Sequence, residues 1–134
     1  MFDYFLEQKP QRIVTDFVGE KLSVTYEGPS LAIGLIKNGM LAGGVVFHGH
    51  TGDDIEMSIY APGILCRRLF RMLATVVFQD NGCGRVTCFT RPSNRLARAS
   101  LTKAGFKCEG VRRNYYGDED GLMFGLLKSE CKWN

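Results

Sequence analysis

Residues 55–106 leave few folds open to this chain. IEMSIYAP, residues 55–62, alternates Ile55, Met57 and Ile59 with Glu56, Ser58 and Tyr60, the pattern of a half-buried strand. Past Pro62 and Gly63 the apolar period turns helical, from about Ile64 to Phe78. Leu65, Leu69, Met72, Leu73 and Val76 form its inner stripe, and Arg68, Arg71, Thr75 and Gln79 its outer one. Asp80, Asn81, Gly82 and Gly84 end that helix, and a second strand-like run follows from Val86 to Thr90. A Pro-Ser-Asn turn then opens another helical pattern, which stops at Gly105, the expected left-handed cap, with Phe106 folding back onto it. Strand, helix, strand and helix in that order demand a crossover, which places the strands at 55–60 and 85–90 parallel and adjacent.

The flanks supply the rest of a sheet. LAIGLIKNGMLAGGVVFHG holds two β-prone runs around Lys37, Asn38 and Gly39, and Asn-Gly between apolar runs predicts a hairpin because both positions tolerate positive φ. Gly43 and Gly44 in its second run predict a bulge or a close backbone approach. His48 and His50 follow, then a turn over residues 51–54. The first twenty-odd residues read as helix, with Ile13, Phe17, Val18 and Leu22 as its apolar stripe. FKCEGVRRNYYG reads as a strand, DEDG as a turn, LMFGLLK as the last strand, and residues 128–134 as a tail.

At 134 residues the expectation is one domain, residues 1–134, since two cores would each be marginal. The acidic start MFDYFLEQK lacks the basic flank of a signal peptide, and no apolar run approaches a bilayer span, so the expected setting is cytoplasmic, away from membranes. Five cysteines (Cys66, Cys83, Cys88, Cys108, Cys131) show no metal spacing and lie in apolar segments, which suggests small, reduced core residues and no metal site.

Charge is uneven. Residues 1–63 carry four Lys/Arg against eight Asp/Glu, while 64–134 carry thirteen against six, and 64–105 alone hold eight basic groups with one acid, Asp80. Arg91, Arg95 and Arg98 sit where a strand feeds a helix, the arrangement of an anion site at a helix N-terminus. A polyanionic ligand suits that excess, and a solvated basic helix face is the plainer alternative.

The order helix, hairpin, β, α, β, α, hairpin, with Asn94, Gly105-Phe106, Glu109-Gly110, Arg112-Arg113 and an acidic turn at this spacing, resembles the GNAT (Gcn5-related N-acetyltransferase) superfamily over roughly residues 30–128. The spacing looks like its ribosomal-protein N-acetyltransferase branch, and the ending LLKSECKWN looks like small bacteriophage-encoded members, which would place the protein in a host cytoplasm. The resemblance implies an α/β fold with a mixed, mostly antiparallel sheet, a parallel β-α-β crossover and flanking helices. It implies acetyl-CoA as cosubstrate, with no metal. In the family the coenzyme lies where the strands here at 55–60 and 85–90 splay apart. Its pantetheine would run along Ile59, Tyr60 and Ala61, its diphosphate would meet the helix after Gly63 with Arg67 and Arg68, and Asn94 and Arg98 would contact it from the next helix.

The chain departs from the family twice. The glycine-rich diphosphate loop is reduced to Gly63 in YAPGILCRR, and the usual general-acid tyrosine is Leu101. Tyr115 and Tyr116 are the alternatives for that acid, and Glu56 is the candidate base for an attacking amine, with His48 and His50 lower in rank. No Ser-His-Asp or Cys-His arrangement argues for an acyl-enzyme. Expected partners are acetyl-CoA and an amine acceptor, with a homodimer as one admissible assembly. A GNAT-fold binding module without catalysis is the competing reading. Nucleic acid is disfavoured, because no helix-turn-helix or RNA-binding signature is present.

Overall fold

The computed structural model describes residues 1–133; Asn134, the end of the expected tail, lies outside the described residues. The elements are β1 (Asp3–Leu6), α1 (Ile13–Leu22), β2 (Ser30–Lys37), β3 (Met40–Thr51), β4 (Asp54–Tyr60), α2 (Arg67–Ala74), β5 (Arg85–Thr90), α3 (Arg95–Lys103), β6 (Lys107–Arg112) and β7 (Gly121–Leu127). A π-helical segment, Thr75–Asp80, extends α2, and a 3-10 turn, Lys128–Glu130, follows β7. The strands form one sheet in the order β1-β2-β3-β4-β5-β7-β6. β4 and β5 run parallel, as the crossover demands, and the neighbours β1–β2, β2–β3, β5–β7 and β6–β7 are antiparallel. No helix among the described residues is long and apolar enough to cross a membrane. The chain divides into two compact units, Met1–Gly49 with Met57–Leu65, and His50–Glu56 with residues 66–134.

In the first unit the Asn-Gly hairpin forms as expected, with Asn38 and Gly39 at φ 54° and 75°. Register between β2 and β3 shifts at Leu35/Ile36, whose partners are Gly43 and Leu41. The close backbone approach foreseen for the glycine pair is present at Gly43, and at Gly44 valine side chains come close instead. A Cβ on Gly43 would strike the Tyr60 carbonyl, and one on Gly44 would lie 2.7 Å from Val18 Cγ2 and 2.9 Å from Val14 Cγ1. Helix α1 therefore docks closely over a stretch of sheet without side chains. Its valines complete a cluster with Tyr26, Ala32 and Val46.

Two expectations for the N-terminal region are corrected. Residues 3–6 are strand, because pairing with β2 captures them and the Phe5 ring fills the space that Gly34 leaves over the sheet. Helix α1 starts only at Ile13, and its buried face is Val14, Thr15, Val18 and Gly19, one residue round from the expected Ile13/Phe17 stripe. Ile13 is 65% exposed. The rotation follows from Gly44, against which a narrow β-branched residue packs more closely than a phenyl ring. The helix is capped from seven residues upstream: Glu7 accepts hydrogen bonds from Val14 N–H (2.7 Å), Thr15 N–H (3.2 Å) and the Thr15 hydroxyl (2.9 Å).

In the second unit α2 begins at Arg67 rather than Ile64, because Pro62 and Gly63 close a turn in which Ile64 N–H donates to the Ala61 carbonyl. The buried stripe is Leu69/Phe70, Leu73/Ala74 and Val77/Phe78, in place of the expected Leu65, Met72 and Val76 beside Leu69 and Leu73. A strict four-residue interval drifts off one face of an α-helix, and the wider π turn at 75–80 restores it. Helix α3 ends as expected: Gly105, at φ 104°, donates to Thr102 and Phe106 N–H donates to Leu101, the paired bonds of a Schellman motif.

The expected tail is anchored. Trp133 stacks on Phe70 with centroids 5.4 Å apart, and its indole N–H donates to the Ala104 carbonyl at 2.8 Å. Of the five cysteines only Cys83 and Cys88 are buried. Cys66 stands exposed at the N-cap of α2 and Cys108 on the edge strand β6, which corrects their assignment to the core.

Candidate active site

The polar face of β4, β5 and β7 in the second unit carries two groups of side chains. Register places Asp54 opposite Arg85 and Glu56 opposite Thr87, and alternation puts Arg85, Thr87 and Phe89 on the same side. Near the strand starts, Arg85 donates to Glu109 (2.6 Å) and Asp54 (3.3 Å), and the Thr87 hydroxyl donates to Asp54 (2.9 Å). Gly125 on β7 leaves room for the Arg85–Glu109 pair, since an added Cβ would lie 2.5 Å from the Glu109 carboxyl carbon.

One pleat further along is the second group. Tyr115 stacks on Phe89 at 4.6 Å between centroids, and Gly121 makes way for it, because a Cβ there would sit 2.9 Å from Tyr115 atoms. Tyr116 meets Tyr115 edge-on at 4.9 Å. The Arg112 guanidinium lies over both Phe89 (4.7 Å) and Tyr115 (5.4 Å). Glu56, half-buried, borders this aromatic and cationic group through its pairing with Thr87.

The electrostatics follow from burial. Loss of water raises the Glu56 carboxyl above its ordinary range; Arg112 opposes the shift and Asp54 adds to it. Burial also raises the Tyr115 phenol, with Glu56 adding to the shift and Arg112 opposing it. Cys88 is pushed up to about 12, first by burial and then by Glu56, so it remains a neutral thiol. Burial thus raises the proton affinity of the Glu56 carboxylate and keeps the Tyr115 phenol protonated, each within the other's field.

The three arginines at the β5–α3 junction part company. Arg91 pairs with Asp118 (2.7 Å) and Glu119 (3.3 Å) and lies 4.2 Å over the Tyr116 ring. Glu119 also accepts from Ser93 N–H (3.0 Å) and the Ser93 hydroxyl (2.8 Å). The anion at this junction is therefore the protein's own carboxylate, brought by the β6–β7 hairpin. Arg95 is exposed. Arg98 is half-buried, and its Nε is buried without a hydrogen-bond partner among the described residues.

Of the residues expected to hold a coenzyme, Asn94 is the N-cap of α3, its Oδ1 accepting from Ala97 N–H at 3.1 Å. Arg67 and Arg68 are exposed in the first turn of α2, a turn with no acidic residue. Ile59 and Tyr60 are half-buried at the end of β4, Ala61 is buried, and Gly63 stands at φ 72°. Tyr60 packs edge-on against Phe17 at 5.9 Å. Taken one by one, the cations at a helix start, an arginine nitrogen without a hydrogen-bond partner among the described residues and a side-chain-free turn each have the chemistry that suits phosphate, the group coenzyme A carries.

Of the candidate histidines, His48 shares a 3.1 Å hydrogen bond with Ser58, and burial lowers its pKa. His50 lies 3.4 Å from Cys83 Sγ, a Cys-His contact that sequence reasoning missed because the two stand 33 residues apart. Burial and the carboxylates of Asp53 and Asp54 raise the Cys83 thiol, the opposite of activation. Arg112 was named from the sequence only within the Arg112-Arg113 pair that carries the resemblance, without a role in the site. Leu101 is 5% exposed, packed into the core.

In sequence the chain matches no family model and no curated protein. In structure it is similar to solved acetyltransferases. A probable acetyltransferase is 25% identical with a TM-score of 0.66, over 75% of this chain and 62% of the other. RimJ of Mycobacterium smegmatis, in complex with CoA-disulfide, is 19% identical with a TM-score of 0.64, over 77% of this chain and 55% of its own. This chain thus spans less than two thirds of both. The ribosomal-protein-S18-alanine N-acetyltransferase of Escherichia coli is 20% identical with a TM-score of 0.70, over 95% and 94%. With a parallel β4–β5 pair inside a mostly antiparallel seven-stranded sheet, and with these neighbours, the chain has the fold of the GNAT acetyltransferases.

Proposed function

We propose that residues 1–134 act as one acyltransferase domain that moves an acetyl group from acetyl-CoA to an amine by direct attack, in the cytoplasm. The observation that carries this is the pairing of a raised carboxyl, Glu56, with a neutral phenol, Tyr115, on one face of β4 and β5. Acetyl-CoA supplies the activated thioester. Glu56 takes the proton that the amine loses as its nitrogen bonds to the carbonyl carbon, and Tyr115 protonates the sulfur as the C–S bond breaks. Tyr116, edge-on to Tyr115, and Arg112, over its ring, orient the phenol. The inert Cys88 thiol fits transfer without an acyl-cysteine.

The coenzyme is assigned to the backbone of Ile59, Tyr60 and Ala61 for its pantetheine, to Gly63, Arg67 and Arg68 for its diphosphate, and to Asn94 and Arg98 for flanking contacts. The acidic balance of residues 1–63 favours a cationic acceptor. Millimolar acetyl-CoA is expected to raise Tm, because a ligand bound only by the folded chain stabilises it. No shift, together with no acetyl transfer to a panel of polyamines and peptide N-termini, would remove this function.

A second reading has its own support. Leu101 is core and Gly63 stands alone in the turn before α2, so a protein that binds coenzyme A or a host factor without turning over is the alternative. A coenzyme-induced Tm shift with no acetylation of any acceptor in an expressing cell would favour it.

A further inference from the structure

Within the first unit the β2–β3 hairpin lies against the turn that follows β4. Gly43 abuts the Tyr60 carbonyl, and its added Cβ would lie 3.2 Å from Ala61 Cα. At the tip, Lys37 pairs with Met40 across the Asn-Gly turn, which holds the lysine at a set place. Its Nζ lies 3.6 Å from where a Gly63 Cβ would be, and apart from Gly63 and its neighbours Pro62 and Ile64 nothing else among the described residues comes within 4 Å of that point. Lys37 is half-buried and has no carboxylate partner among the described residues. An ammonium with no carboxylate beside it is available to an anion, with which it makes a charge-assisted contact. Gly63, at φ 72° and without a side chain, leaves the space beside that ammonium open.

We infer that Lys37 is a phosphate-binding residue whose ammonium, standing over the Gly63 turn, holds the diphosphate of coenzyme A. The inference rests on the proposed coenzyme use and adds to it a residue outside the turn itself. A glycine-rich loop binds phosphate through closely approaching amides. Here Ile64, Leu65 and Cys66 follow a single glycine and restrict that approach, and a cation delivered from the neighbouring hairpin takes over part of the task. Lysine suits the position because a point charge on a flexible stem needs no fixed fork geometry.

The test measures Kd by titration calorimetry for coenzyme A, dephospho-coenzyme A (which keeps the diphosphate but lacks the 3′-phosphate) and pantetheine, on the wild type, Lys37→Met and Lys37→Arg. Loss of one charge-assisted phosphate contact should weaken coenzyme A about ten-fold in Lys37→Met. Dephospho-coenzyme A should weaken by the same factor and pantetheine not at all. Lys37→Arg should stay within about two-fold of the wild type, because it keeps the charge. The salt dependence of coenzyme binding should be shallower in Lys37→Met. Wild-type binding that Lys37→Met leaves unchanged overturns this inference alone and spares the proposed function. A loss confined to coenzyme A would move the contact to the 3′-phosphate and overturn the diphosphate assignment. An equal loss with pantetheine would show that Lys37 only props the fold, and absence of any coenzyme binding by the wild type removes both readings.

Discussion

Glu7→Ala is the substitution whose cost can be worked most directly from the geometry. Its carboxylate serves two amides and a hydroxyl at the start of α1, at 2.7, 3.2 and 2.9 Å. The residues that donate are themselves buried: Val14 is 0% and Thr15 3% exposed. The residue immediately before the helix, Arg12, offers no side-chain cap, so these donors have no alternative partner from the N-cap. Loss of a helix cap costs about 0.5–2 kcal/mol. A buried hydroxyl left unsatisfied adds about 1–3 kcal/mol, reduced by whatever water enters the space that Glu7 vacates. A total of about 2–3 kcal/mol follows, or a fall in Tm of about 10 °C for a domain of this size. Glu7→Gln keeps one acceptor oxygen but loses the charge at the positive end of the helix, and should cost about half as much. Urea unfolding followed by circular dichroism measures both. Thr15→Val in each background closes a double-mutant cycle, with an expected coupling of about 1 kcal/mol between residues 7 and 15. A loss below about 0.5 kcal/mol for Glu7→Ala, or zero coupling, would refute the reasoning that α1 is capped from β1's far end.

Other expectations follow from the same structure. Trp133→Ala should destabilise by about 2–4 kcal/mol through the lost stack on Phe70 and the lost bond to Ala104, whereas Trp133→Phe should lose only about 1 kcal/mol, the hydrogen bond; a cost-free Trp133→Phe would mean that the indole N–H contributes nothing, and equal costs that the stack does not. Because Glu56 has a folded-state pKa raised above its ordinary 4.5, the folded chain holds more protons than the unfolded one just above that pH, so its contribution to stability falls as pH rises through the folded pKa. Glu56→Gln should therefore match the wild type below pH 4.5 and gain Tm relative to it as pH climbs, and melting curves between pH 4 and 8 that stay parallel would count against a desolvated carboxyl. If Glu56 is the base, the acidic limb of kcat against pH should lie above the usual carboxylate range and vanish in Glu56→Gln. Tyr115→Phe should lower kcat about 10- to 100-fold with little change in KM if Tyr115 protonates the sulfur, and an unchanged kcat would move that role elsewhere.

Much of the frame was legible because its determinants are local. Asn38-Gly39 prescribes its turn through φ alone, and Gly105 prescribes the end of α3 in the same way. The period change across residues 55–90 demands a parallel crossover whatever surrounds it. The candidate site was legible only as residue types. Glu56 and Tyr115 were named from the sequence, but their shared field, set by Phe89, Arg112 and the small Gly121, was not. The three-arginine junction was misleading for the same reason: whether Arg91 awaits a ligand depends on Glu119, whose bond to Ser93 spans 26 positions.

By itself, the sequence determined the element types in the middle of the chain, the two glycine-dependent turns and the polarity of each half, since these depend on backbone sterics, hydrophobic period and charge count. Tertiary structure alone decided that residues 3–6 are strand, which face of α1 is buried, that Trp133 packs on Phe70 and Ala104, and that Lys37 stands over Gly63. Each of these rests on contacts between residues far apart in sequence. Such contacts arise from packing that is selected only once the sheet has formed, and no local propensity encodes them.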